Sequence, residues 1–325
     1  MKRFLTILLL ACASTLSLAW EPTKPVTVIV GNTPGAGNEI AFRKLASIVQ
    51  KTNPKFVYVV QNMPGVDSVI SMNHFLTVPP DGLTIALPSH MSTYVTNDIW
   101  EKSVKKFEAD EFKDVLTMGK SPLVLVASPR STINTPQEFA KLIRTTTKPI
   151  SIAVGGGAHR TAFEFLMMRN KGNADMVKPI KFNGPAPAVI SVASFDGEGT
   201  EFGIMPIAVA KPLVDSGKVK ALGVTGNRRM PQMPNVPLLK DIAPGIDVYA
   251  AWSLTLPPRT NADIVEWYQK TFVAAIRSSE YQEWMDTQMV FIDETELTPA
   301  GLKDQIRELR ATFLPVLSKI DLSKE

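Results

Sequence analysis

The chain has 325 residues, 45% apolar and 20% charged, with 35 basic and 31 acidic residues, three histidines and one cysteine. That composition reads as a soluble globular protein with enough chain for two lobes rather than one core. Its near-neutral balance lacks a nucleic-acid footprint, and a lone cysteine excludes an internal disulfide.

Lys2 and Arg3 precede an apolar run from Phe4 to Ala13, and Ser17-Leu-Ala19 forms a small-x-small site. This order of basic, apolar and small residues predicts a secretion signal over residues 1–19. A membrane anchor is the competing reading, but Ser14, Thr15 and Ser17 break the run short of the roughly 20 residues a spanning helix needs. Leu9-Leu-Ala-Cys12 loosely resembles a lipoprotein signal, so lipidation at Cys12 is the lesser alternative. A cut after Ala19 removes the only thiol together with Lys2 and Arg3, leaving 33 basic against 31 acidic residues, a formal charge of +2.

Short apolar runs then alternate with helical patterns. Strands are expected at Val26–Val30, 56–60, 83–87, 123–126, Ile150–Val154 and 220–225, several of them continuous enough for buried parallel strands. After the first strand, Phe42, Leu45, Ile48 and Val49 fall on one helical face. Thr135-Pro-Gln-Glu138 reads as a capping box with proline at the first helical position, and Thr260 and Thr298-Pro299 suggest similar starts. A last helix buries Leu302, Ile306, Leu309 and Phe313 and ends near Pro315. The chain is expected to cross between lobes at residues 120–123 and 248–252.

Two glycine-rich turns carry the functional signal. Gly31-Asn32-Thr33-Pro34-Gly35-Ala36-Gly37-Asn38-Glu39 and Gly155-Gly156-Gly157-Ala158-His159-Arg160-Thr161 each follow a strand and open a helix. Glycine allows close backbone approach, and a helix N-terminus offers free N–H groups with a positive dipole end. Two such turns facing each other would hold a carboxylate or phosphate. Each turn alone could equally be a tight connection.

The order Pro34-Gly-x-Gly37, Asn62-x-Pro-Gly65, Pro80-Asp-Gly-x-Thr84, the glycines at 155–157, Phe182-Asn-Gly-x-Ala-Pro187, Gly217-Lys-x-x-Ala-Leu222 and Pro234-x-Val-Pro237 resembles the substrate-binding proteins of tripartite tricarboxylate transporters, the Bug family. The resemblance spans nearly the whole chain after residue 19. It implies a type II-like periplasmic binding protein of two α/β lobes, each a mainly parallel sheet flanked by helices, with the cleft between them. Lobe 1 would comprise residues 20–122 plus 250–325, and lobe 2 residues 123–249. It further implies a periplasmic monomer that delivers a small organic acid to membrane permease subunits, with no cofactor. The ligand carboxylate would sit between Asn32–Glu39 and Gly155–Thr161, held by main-chain N–H groups and bridging waters, with Ser89 and Ser92 at the cleft mouth.

Several residues depart from the family pattern. Ala36 stands where a second glycine is usual, Glu39 replaces Asp, and Val66-Asp67 replaces tandem glycines. Glu39 stabilises a first helical turn but would repel an anionic ligand unless it meets a hydroxyl, an ammonium or water. His159 reads either as an imidazolium partner or as a neutral polar contact. Arg160 could meet a second ligand carboxylate or pair with Glu164 four residues on, and Trp252 could line the cleft or pack at the crossing.

Other chemistry lacks its spacing. His74, His90 and His159 make no metal motif, Gly35-Ala-Gly37 lacks the third glycine of a dinucleotide fingerprint, and Gly155–Gly157 precedes no Lys-Ser/Thr. No Gly-x-Ser-x-Gly elbow occurs. The expectation is therefore a binding protein, not an enzyme. A sensor that docks on a membrane kinase, or an enzyme on the same scaffold, are the alternatives.

Overall fold

The computed structural model describes residues 20–227 and 229–320. The secretion signal and the Cys12 reading lie outside them. The first strand and helix, β1 (Val26–Val30) and α1 (Gly37–Thr52), stand where the sequence puts them. The buried face of α1 carries Phe42, Leu45, Ile48 and Val49, and burying each large side chain fully stabilises the fold by about 1.5–3 kcal/mol.

The chain continues through β2 (Tyr58–Asn62), α2 (Val69–Phe75), β3 (Thr84–Ala86) and the short α3 (His90–Tyr94) to β4 (Lys113–Ala127). Next come α4 (Pro136–Thr145), β5 (Ile150–Val154), α5 (Gly157–Asn170), β6 (Val177–Lys181), α6 (Pro185–Ala193), β7 (Phe202–Pro206), α7 (Ile207–Asp215) and β8 (Lys220–Val224). The return segment is β9 (Tyr249–Leu256), α8 (Ala262–Ile276), α9 (Ser279–Gln288) and α10 (Pro299–Leu317).

The nine strands form one sheet in the order β2-β1-β3-β9-β4-β7-β5-β6, with β8 also paired to β4. Strand β4 joins two halves. Its first part pairs antiparallel with β9, from Lys113 opposite Leu256 to Pro122 opposite Tyr249. From Leu123 onward its partners are β7 and β8, also antiparallel. Beyond these crossing strands, each half has three parallel strands: β2-β1-β3 in one and β7-β5-β6 in the other. The result is the two-lobed α/β architecture that the resemblance implies.

The largest departure from the sequence reading is the length of β4, expected only over 123–126. Residues 113–122 read as polar or helical because Lys113, Asp114, Thr117, Lys120 and Ser121 interrupt the apolar pattern. Tertiary packing overrides that signal: Lys120 and Ser121 are buried, with Lys120 held by Asp293 and by Glu296 at 2.6 Å. Strands β6, β7 and β9 lie outside the runs expected from the sequence. The Thr135 capping box and the Thr298 cap are present. Thr260 is not a cap: α8 starts after Asn261, and the Thr260 hydroxyl donates to the Pro257 carbonyl. Helix α10 runs two residues past Pro315.

Candidate functional site

Each glycine turn follows the central strand of its half's parallel trio, β1 or β5, and starts a helix aimed at the junction of the two halves. Ala36 precedes α1 with extended backbone (φ −71°), a conformation open to any residue, so the alanine there costs nothing. Asn38 staples the first turn: its Nδ2 donates to the Leu87 carbonyl at 2.7 Å and to Asn32 Oδ1 at 3.2 Å, while its Oδ1 accepts from Glu39 N. In the second turn the Gly155 N–H donates to His159 Nδ1 at 3.0 Å. The imidazole is therefore an acceptor, and burial drives its pKa down to about 3, which makes it neutral.

The turns meet across the cleft. The Gly157 N–H donates to Ser92 Oγ at 3.1 Å, and Thr33 Oγ1 donates to the Asn183 carbonyl at 2.8 Å. Lys181 pairs with Glu101 at 2.6 Å across the same junction. A Cβ on Gly157 would lie 2.5 Å from Thr96 Oγ1 and 2.9 Å from Ser92 Oγ, so only glycine permits this approach.

A cavity of about 30 Å³ lies at this contact, lined by Asn32, Ala36, Gly37, Asn38, Ser89, Ser92 and Gly155 to His159, together with Pro185, Pro206, Ala250 and Trp252. It has room for one or two waters and no organic acid. A second interlobe cavity of about 120 Å³ is lined by Asp67, Trp100, Glu101, Val154, Gly156, Gly157, Arg160 and Lys181. Trp252 lines the first cavity and also packs on the start of α1, where a Cβ on Gly37 would meet its ring at 2.3 Å. Both readings of this side chain hold together.

Not every residue of the two turns faces the cleft. Pro34 and Gly35 are exposed and line neither cavity. Thr33 bridges the halves from outside the cavities, and Thr161 is buried behind the turn with no partner for its hydroxyl. Glu39 is turned back into its own loop, where its carboxylate accepts from Gly35 N, Asn62 Nδ2 at 3.0 Å and Arg43 Nε at 2.8 Å. Burial opposes its ionised form, but the hydrogen bonds from Asn62, Arg43 and Gly35 outweigh it and hold the carboxyl below the ordinary range. Arg160 pairs with Glu164 at 2.5 Å and lies over the Trp100 ring.

Sequence reasoning missed Asp67, Trp100, Glu101 and Lys181 as cavity residues. Asp67 is the one with a sequence signal, since it stands where glycine was expected. Val66, Asp67 and Ser68 have φ of 47°, 47° and 73°, a left-handed turn that brings Ser68 Oγ to the Gly31 carbonyl at 3.1 Å and the Asp67 carboxylate to the cavity. The Thr96 hydroxyl donates to it at 3.5 Å. Burial pushes the Asp67 carboxyl above its ordinary range, against the charge of Lys181 and hydrogen bonding from Ser92 and Thr96.

A larger cavity of about 810 Å³ lies on the opposite face of the crossing strands. Alternate residues of a strand point to opposite faces: Ala250 and Trp252 line the small cavity, whereas Tyr249 and Ala251 line the large one with Lys120, Phe291 and Asp293. Neither glycine turn reaches it. The convergence of the α1 and α5 N-termini therefore marks the smaller cleft as the candidate site despite its size. Among the described residues, no group of three or more His, Cys, Asp or Glu is placed to hold a metal ion, and no helix is long and apolar enough to cross a membrane.

Two α/β lobes joined by crossing strands, with helix N-termini meeting in the cleft, define a two-lobed solute-binding protein. Residues 42–294 match the model of the tripartite tricarboxylate transporter family receptors, and the chain belongs to that family. It is similar to a UPF0065 protein from the gbd 5′ region of Cupriavidus necator, 24% identical over 276 residues, covering 81% of this chain and 77% of the relative. Among solved structures it shares its fold with the periplasmic binding protein BugD, at a TM-score of 0.82 and 22% identity over 92% of this chain and 98% of that one. MatC from Rhodopseudomonas palustris with bound malate has a TM-score of 0.83 and 21% identity, covering 91% of this chain and all of that one.

Proposed function

We propose that the protein captures a small organic acid in the periplasm between its two lobes, 20–122 plus 250–325 and 123–249, and presents the closed form to membrane permease subunits. The observation that carries this reading is the meeting of the α1 and α5 turns across the cleft, with the Gly157 N–H already held by a hydroxyl of the other half. A helix N-terminus stabilises an anion through free N–H groups and the dipole. The bound malate of the structural neighbour MatC supports a carboxylate as the ligand class.

Rotation about the paired segments of β4 and β9 would separate the turns, admit the acid and close again. Such closure is driven by the ligand's higher affinity for the closed state. The protein acts here as a monomer and as a carrier rather than a catalyst.

The test is a thermal-shift screen of residues 20–325 against mono-, di- and tricarboxylates, aromatic acids and amino acids. A binder of the folded state at a hundredfold excess over its Kd adds about 2.7 kcal/mol of stability. A carboxylate hit supports the reading, and silence across the panel at millimolar concentrations overturns it.

A further inference from the structure

The interlobe cavity of about 120 Å³ contains four charged side chains, and three of them are paired. Arg160 is bound to Glu164 and Lys181 to Glu101. Asp67 is the exception: among the described residues it forms no ion pair, and Thr96 and Ser92 offer it only hydroxyls. Three consecutive non-glycine residues hold positive φ to place it there, a strained backbone arrangement that such residues seldom adopt.

The anion-binding capacity of the cleft is also partly used. Glu39 takes the Gly35 N–H of the first turn, His159 takes that of Gly155 and Ser92 that of Gly157. The cleft thus offers few donors for several carboxylates, and one acidic acceptor that feels the charge of Lys181 but pairs with no cation, because Lys181 and Arg160 are bound to Glu101 and Glu164.

Resting on the proposed acid-binding role of this cleft, we infer that Asp67 sets its specificity: the ligand is a small zwitterion, with one carboxylate for the glycine turns and one ammonium for Asp67. A second carboxylate brought to this cavity would face Asp67 and Glu101 while the cavity's cations, Arg160 and Lys181, already carry the carboxylates of Glu164 and Glu101, so it would add a negative charge with no cation to match it. A hydroxyl could donate to Asp67 but would leave its charge uncompensated.

Alanine, lactate and propionate differ at one substituent, an ammonium, a hydroxyl or a hydrogen, and malonate adds a second carboxylate. Titration calorimetry of these four probes against the full mature chain and its Asp67→Asn variant tests the assignment. Alanine is expected to bind at least tenfold more tightly than propionate, lactate to fall between, and malonate to bind most weakly. In Asp67→Asn the alanine preference falls to within about threefold. Propionate or malonate binding the unaltered protein as tightly as alanine overturns the inference while leaving the acid-binding reading intact, and this arm needs no variant. An unchanged alanine preference in a folded Asp67→Asn protein also overturns it. Failure of all four probes, together with the carboxylate panel, removes the acid-binding reading and the inference with it.

Discussion

Ser92 Oγ accepts the Gly157 amide hydrogen at 3.1 Å across the junction of the two lobes. The first amides of a helix have no intrahelical partner, so this hydroxyl satisfies, from the other half of the molecule, a donor that a ligand carboxylate would otherwise claim. In the proposed carboxylate-binding role, contact between the halves and ligand capture would use the same group.

Gly157→Ala should uncouple the two. Its Cβ would lie 2.5 Å from Thr96 Oγ1 and 3.0 Å from Asp67 Oδ2, so the halves must stay apart while α5 itself remains intact. A loss of at least tenfold in acid affinity is expected, with unfolding stability changed by about 1 kcal/mol or less. Calorimetry beside urea denaturation measures both, and affinity equal to that of the unaltered protein would show that the observed approach is not the binding state.

Arg160 and the loop amide make opposite predictions. Proline at position 157 removes one N–H and suits the first helical position, yet it should abolish acid binding. Arg160→Ala should leave affinity within about threefold while costing roughly 1–3 kcal/mol of stability, because Glu164 loses its partner in a half-buried site. Stronger damage to binding from Arg160→Ala would assign the carboxylate to the guanidinium.

Acid should destabilise the protein through His159 and His90. Burial lowers both pKa values to about 3 from an unfolded value near 6.5. The unfolded chain binds these protons first, so the stability of the neutral folded form is lost as pH falls from 6.5 towards 3. Asp114 opposes them: burial raises it to about 6, and its contribution, full below pH 3.8, is lost as pH rises through 6. Asp67, Glu164 and Glu296, whose pKa values burial also raises, act with Asp114, so the histidine contribution is read as the difference in melting temperature between the unaltered protein and a histidine variant over pH 6.5 to 4.5. Relative to the unaltered protein, His159→Gln should gain in melting temperature as pH falls over that interval, and equal slopes would refute the neutral assignment.

Val66 holds φ 47°, a region a β-branched side chain tolerates poorly. Glycine normally costs about 0.5–1 kcal/mol in chain entropy, but here relief of strain offsets it. Val66→Gly should be neutral or stabilising by up to about 1 kcal/mol on chemical denaturation. A loss above 1 kcal/mol would mean that the valine side chain contributes packing the turn needs.

Much of this was legible along the chain. The period of Phe42, Leu45, Ile48 and Val49, the Thr135 capping box and the two strand-glycine-helix turns are local patterns. Backbone geometry and helix periodicity suffice to read them. The order of short motifs is legible too, because Gly35, Gly65, Gly82, Gly156, Gly184 and Gly217 within it hold positive φ that other residues rarely adopt.

Other features depend on partners remote in sequence. Strand β4 reads as polar at Lys120 until Asp293 and Glu296, more than 170 residues later, supply its counter-charges. Pro34 and Gly35 look like site residues but face solvent, and Glu39 looks like a hazard to an anion but is folded back onto Arg43 and Asn62. Asp67 shows the same limit most sharply. The sequence by itself determined an α/β chain with two anion-ready helix starts, because those signals lie within a few residues of one another. Only the tertiary structure decided which carboxylates are paired and which one stands in the cleft without an ion pair, because pairing is set by distance in space between groups that the chain keeps far apart.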